Sequence, residues 1–174
     1  MRILKQYARR EIVGFVSPHA DPFGYRALAD LGRAVFVEAF KRVCAESQGI
    51  DVLGYLRDPE AELDWLIEFA GSSFDANQWL LAFYGEELAG MVLPQCFPGQ
   101  PDAGTLLHIA LVPEFRRRGY GKVLHAKGLE LLARLGARRY VGSTHVDNSA
   151  MIRVFEENGC RLTGVQEREV PGPT

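Results

Sequence analysis

Arg116-Arg117-Arg118-Gly119-Tyr120-Gly121 follows an apolar run, Thr105 to Pro113 (TLLHIALVP), and leads into a segment carrying Leu124, Leu131 and Leu135 at helical spacing. The run reads as a buried strand closed by a proline, and Val123 to Leu135 as a helix, so the glycines fall where strand becomes helix. A glycine has no β-carbon, which lets a phosphate approach the backbone closely. The unpaired N–H groups of a first helical turn, aided by the helix dipole, then point at the anion. This is the chemistry of a phosphate cradle, and a phosphorylated ligand is the first inference.

Other chemistries find less support. Lys122 is followed by Val123, so the Gly-Lys-Ser/Thr ending of a nucleotide-triphosphate loop is missing, and no dinucleotide glycine fingerprint follows a first strand. His19, His108, His125 and His145 do not pair at metal-ligand spacing, and no metal is implied. Cys44, Cys96 and Cys160 are odd in number and widely spaced, which argues against a disulfide framework and a zinc knuckle. They read as reduced, mostly buried thiols.

The elements that must position the loop are legible in outline. Ile12 to Val16 is a short strand candidate, followed by turn formers at Ser17 to Pro22. Leu28, Leu31, Val35, Ala39 and Val43 predict a helix from about Arg26 to Glu46, ending before Gln48-Gly49. Asp58-Pro59-Glu60 looks like an N-cap with proline at the first helical position, opening a second helix that Gly71 stops. Trp79 to Tyr84 and Leu88 to Cys96 read as a hairpin turning at Gly85-Glu86-Glu87, and Phe97 to Asp102 as a loop. A strand near Tyr140 to Val146, a helix from Ser149 to Asn158 and a last strand complete an order whose later part alternates strand and helix. Only Pro171 to Thr174 has the look of a disordered tail.

The stretch from about Thr105 to Gly164 resembles the GNAT superfamily of acyl-CoA-dependent N-acyltransferases, whose central motif is Gln/Arg-x-x-Gly-x-Gly/Ala. The resemblance rests on Val112-Pro113-Glu114, the loop Arg116 to Gly121, Asp147-Asn148-Ser149-Ala150-Met151 and the closing Phe155-Glu156-Glu157-Asn158-Gly159-Cys160. It implies an α+β (α/β) fold, in which a central mixed, mostly antiparallel twisted sheet with a parallel splayed strand pair is flanked by about four helices. It further implies one domain over residues 1–174, with the acceptor side at about 1–80 and the coenzyme A side at about 104–164.

By that resemblance Ile109, Leu111 and Val112 contact the pantetheine arm of acetyl-CoA, and the Leu111 N–H is an oxyanion donor. Arg116, Arg117, Arg118, Gly119, Tyr120, Gly121 and Lys122 hold the diphosphate. Asn148 stands where the family contacts the pantetheine, and Asp147 and Asn148 are also good helix caps, so the two tasks can coexist. Phe155 occupies the position of a tyrosine that protonates the departing thiolate in many members. A phenyl ring cannot do this, which leaves Tyr120, Tyr140, solvent, or departure as the thiolate. His108 and His145 are the candidate bases, although a histidine in a strand is more often a satisfied structural residue.

The implied activity is transfer of an acetyl group from acetyl-CoA to a primary amine; a non-catalytic acyl-CoA sensor or interaction module is the competing reading. From Glu46 to Glu87 carboxylates such as Asp51, Asp58, Glu60, Glu62, Asp64, Glu68 and Asp75 outnumber the lone Arg57, through a solvated face or an acidic lining for a cationic amine. The net charge of −2 argues against nucleic acid, and no apolar stretch approaches a bilayer span. The start MRILKQYARREIVGF does not read as a secretory signal, so a cytoplasmic address is expected. A small-molecule or peptide amine is the expected partner, and the resemblance leaves a homodimer open.

Overall fold

The computed structural model describes residues 2–47 and 57–169. The Gln48-Gly49 break, Asp51 and the Pro171 to Thr174 tail lie outside the described residues.

Strand β1 (Arg2–Glu11) begins earlier than the Ile12 to Val16 segment expected. A strand needs few apolar residues when only part of it faces a core, and the inward Ile3 and Ala8 are hidden in sequence among Lys5, Arg9 and Arg10. Val13 and Val16, which suggested the strand, are 63% and 74% exposed.

The expected helix from Arg26 to Glu46 is three elements: β2 (Gly24–Ala27), α1 (Leu28–Leu31) and α2 (Arg33–Cys44). Gly32 separates the helices, with φ 82° and ψ 164°, values that only glycine adopts readily. The buried stripe of α2 is therefore Phe36, Val37, Phe40, Val43 and Cys44, while Val35 is exposed. Helix α3 (Pro59–Ala70) starts as expected: the Asp58 side chain accepts from the Ala61 N–H at 3.0 Å, and Gly71 at φ 54° ends it.

Strands β3 (Leu80–Tyr84) and β4 (Glu87–Phe97) form the expected hairpin. Strand β5 (Gln100–Leu111) starts inside the expected loop, because Phe97 pairs with Gln100 across the tight Pro98-Gly99 turn. There follow a single 3-10 turn (Pro113–Phe115), α4 (Tyr120–Arg134), β6 (Arg139–His145), α5 (Ser149–Glu157) and β7 (Arg161–Glu169).

The seven strands form one mixed sheet in the order β2-β3-β4-β5-β6-β1-β7, antiparallel throughout save for the parallel pair β5·β6. Five helices stand among the described residues, against about four expected, because Gly32 divides the first. Leu88 to Gln95 of β4 are buried without interruption, as a strand covered on both faces must be. On one face His108 packs against Phe40 of α2; on the other Leu106 and Val92 lie against α4 at Gly128. A second, smaller core joins Ala8 and Ile12 to Leu129, Leu132, Tyr140 and Phe155 under α4 and α5. Among the described residues no helix is long and apolar enough to cross a membrane.

Candidate acyl-transfer site

At the end of β5 the chain makes its 3-10 turn and passes through Arg117, at φ 60°, to Gly119, which holds φ 78° and ψ 5° at the N-cap of α4. Among the described residues no side chain caps this helix. Its first-turn N–H groups therefore lack both an intrahelical partner and a substitute, which is the condition for holding an anion. Arg117, Arg118 and Gly119 are exposed, and Arg118 lies 5.5 Å from the Phe115 ring centre. Gly121 is needed for packing as well, since a β-carbon there would come within 3.3 Å of Val154 in α5.

Arg116 is turned the other way. Its Nε donates to Leu111 O at 3.1 Å, and its Nη2 donates to Val43 O and Ala45 O at 2.9 and 3.0 Å. It thereby satisfies carbonyls at the end of α2 and ties that helix to the loop. Tyr120 packs among Phe23, Phe115 and Tyr84 at centroid distances of 5.2, 6.1 and 6.4 Å.

Beside this helix mouth the sheet opens. β5 and β6 pair only at Ala103 with Arg139 and Gly104 with Tyr140, and no pairing follows from Thr105 onward. The register of β4·β5 shifts between Val92 and Pro94, so that β5 carries one extra residue at Leu107-His108, a β-bulge. Past the bulge the Val112 N–H bonds Ala89 O at 2.9 Å. Alternation along an antiparallel ladder then turns the N–H groups of Ile109 and Leu111 away from β4 and into the opening. Val112 itself is fully buried, its N–H bonded to β4 and its carbonyl to the Phe115 N–H.

The two candidate bases occupy different settings. His108 is buried with its ring edge-on to Phe40 at 5.3 Å, and burial pushes its pKa down to about 4. His145 ends β6 with its side chain 23% exposed; its Nδ1 lies 3.5 Å from Asp147 Oδ2 and accepts from the Asp147 N–H at 3.3 Å. Tyr140, Gly142 and Thr144 are buried toward α4 and α5, so alternation puts His145 on the opposite face of the sheet. Asn148 caps α5: its Oδ1 accepts from the Met151 N–H at 3.1 Å while its Nδ2 donates to Thr144 Oγ1 at 2.9 Å.

Phe155 is 1% exposed, its ring 5.6 Å from His125 and 6.5 Å from Tyr140. Around it runs a buried polar chain that sequence reasoning missed. Asn158 Nδ2 donates to Lys122 O at 3.0 Å and to His125 Nδ1 at 2.9 Å, and Asn158 Oδ1 accepts from His19 Nε2 at 2.8 Å. With Nδ1 accepting, His125 carries its proton on Nε2 and donates it to the Tyr140 hydroxyl at 3.2 Å. Burial, and then the Arg10 guanidinium, push the His125 pKa down to about 3, and burial raises that of Tyr140 far above its ordinary value. The signal was present: His125 shares the helical stripe of Leu129 and Leu132, a polar group on a core face that demands partners.

Several carboxylates of the acidic stretch have structural partners. Asp58 caps α3, Asp64 pairs with Arg33 Nη1 at 2.8 Å, and Asp75 accepts from the Asn77 N–H at 2.8 Å. Cys44, Cys96 and Cys160 are free thiols, and burial pushes Cys44 and Cys160 up to about 11.

The acetyltransferase (GNAT) family matches residues 41–160, well over half of the 174 residues, and the chain belongs to that family, which uses acetyl-CoA. No curated protein sequence matches the chain. Among solved structures, a GCN5-related N-acetyltransferase from Sphaerobacter thermophilus is similar over 98% of this chain and 53% of its own, at 18% identity and a TM-score of 0.67. Ard1 from Thermoplasma volcanium is similar over 83% of this chain and 86% of its own, at 17% identity and a TM-score of 0.62. An acetyltransferase of the GNAT family from Streptococcus pneumoniae covers 79% of this chain and 83% of its own, at 21% identity and a TM-score of 0.55. At these identities the likeness is one of fold. The chain spans 63% and 50% of two further matched structures, so several of these relatives are considerably longer.

Proposed function

We propose that the chain moves an acetyl group from acetyl-CoA to a primary amine by direct transfer. The observation that carries this reading is the uncapped N-terminus of α4 beside the opening between β5 and β6. A diphosphate suits the first, and an amide-bearing arm suits the unpaired strand edge at the second. The N–H groups from Arg117 to Lys122 hold the diphosphate, with Arg117 and Arg118 adding charge. Arg116 contributes by fastening the loop, since its guanidinium is engaged elsewhere and its own N–H bonds the Pro113 carbonyl at 3.2 Å. Ile109 and Leu111 pair with the arm, and the Leu111 N–H stabilises negative charge on the thioester oxygen.

In the transfer, the amine nitrogen bonds the acetyl carbon, the carbon–sulfur bond breaks with its electron pair on sulfur, and one amine proton must leave. A lysine-like amine has a pKa of about 10.4 and needs a base. His145 is the better candidate: it is accessible, and a proton taken up at Nδ1, where the 3.3 Å contact from the Asp147 N–H gives way, faces the Asp147 carboxylate at 3.5 Å, whereas burial leaves His108 a poor proton acceptor. Phe155 offers no hydroxyl and Tyr140 is enclosed, which leaves Tyr120, solvent, or departure of sulfur as the thiolate, a tolerable leaving group at a thiol pKa of about 8.5.

Thiol release from acetyl-CoA, measured across a panel of small amines, amino acids and peptides, tests the reading. Amine-dependent release supports it. Binding of acetyl-CoA with no release for any amine instead favours the non-catalytic module.

A further inference from the structure

The opposite end of the sheet, where β5 and β6 begin and β1 ends, holds a groove of about 650 Å³ that none of the chemistry above uses. Arg9 of β1 pairs directly with Arg161 of β7 and, on its other side, with Val141 of β6. Directly paired residues share a face, so the two arginines stand side by side with β-carbons roughly 5 Å apart, an arrangement that like charges disfavour. Both are exposed, and neither guanidinium has a hydrogen bond or ion pair to another described residue.

Their neighbours are otherwise engaged. Arg139, paired with Glu11 on the same face, holds Asp102 at 2.7 Å, and Arg10 on the reverse face donates to Asn158 O and covers the Phe15 ring at 4.7 Å. Glu11 is the lone carboxylate of the groove lining, to which Gln100 and Phe97 also belong. The volume falls within the range of small-molecule pockets, about 300–1,000 Å³.

We propose that this groove binds a small organic anion with two or more carboxylate or phosphate groups, clamped between Arg9 and Arg161. A guanidinium presents a planar fork of N–H groups matched to either group, and one doubly charged ligand relieves the repulsion between both. Gln100 adds amide hydrogen bonding and Phe97 an apolar wall for the carbon skeleton. The site lies at the end of the strands away from the α4 N-terminus, so it is separate from the diphosphate cradle.

Thermal unfolding with citrate and with inorganic phosphate, each against sodium chloride of equal ionic strength, tests this. At a tenfold excess over its Kd the better anion raises the wild-type Tm by about 4 °C. The greater part of the response is lost in Arg9→Gln/Arg161→Gln and it is reduced in the milder Arg161→Gln, while Arg117→Gln/Arg118→Gln in the loop before α4 keeps the greater part, any remainder in the first variant being anion held at the α4 N-terminus. Without ligand, Arg161→Gln melts no lower than wild type, because a repulsion has been removed. Greater response to citrate assigns carboxylate chemistry, and greater response to phosphate assigns a phosphate ester. Failure of both anions to raise Tm, an unchanged response in the Arg9/Arg161 variants, or loss of response only in the loop variant overturns the proposal.

Discussion

His145 and Asn158 differ from their neighbours in having a task that side-chain chemistry alone can fill. His145 is partly exposed and held by Asp147, the setting of a base that must meet solvent and acceptor in turn. Removing a positioned base costs about 10²–10⁴ in rate. His145→Gln should therefore lower kcat/KM at neutral pH by about 10² while leaving the Kd for CoA unchanged, as rate and binding measurements on the same variant will show. An unchanged rate would move the base elsewhere. Asn158 joins the first turn of α4 to His125 and His19 through three hydrogen bonds. Asn158→Ala leaves buried partners unsatisfied, and chemical denaturation should report a loss of roughly 2–3 kcal/mol. Weaker CoA binding should accompany it, because Lys122 O is one of the freed groups.

At the scale of elements, what could be read in advance follows from how local the cause is. The cap of α3 is written in adjacent residues, Asp58 and Pro59, and the helix begins there. Asp58→Ala should cost about 1 kcal/mol, seen as a lower urea midpoint with an unchanged slope. The strand, loop and helix around Arg116 to Gly121 were equally local. Strand β1 was not legible, because its inward residues are few and its neighbours supply the reason for it to be extended. The break at Gly32 was missed because apolar spacing carries across it from Leu28 and Leu31 to Val35, while the backbone angle does not. In the site, the direction of the Ile109 and Leu111 N–H groups depends on a bulge and a register, neither visible in side-chain identity; position within the family motif was the sole guide. The side chain of Arg116 was unreadable for a related reason, since its acceptors Val43 O and Ala45 O lie more than 70 residues away in sequence.

For the whole molecule, two buried histidines set the behaviour in acid. His108 and His125 hold pKa values of about 4 and about 3, below the ordinary 6.5, through burial. As pH falls below about 6.5 the unfolded chain takes up a proton at each site and the folded one does not, so stability declines until the folded values are reached. At pH 5 the loss relative to pH 7.5 is roughly 2 kcal/mol for each. Denaturant titrations across this range should show the decline, and His125→Gln, which removes one titrating group, should halve it. A stability independent of pH between 7.5 and 5 would show that neither histidine is held neutral.

All of the proposed chemistry requires that main-chain N–H groups at the start of α4 hold the diphosphate of coenzyme A, with Gly119 in a left-handed conformation that a β-branched residue does not tolerate. Isothermal titration of CoA into wild type and Gly119→Val is the most direct measurement of that. The expected result is single-site binding to wild type and an affinity lower by about tenfold or more in the variant, with both proteins folded by circular dichroism. Absence of heat with wild type at saturating CoA, or equal affinities for the two proteins, would contradict it.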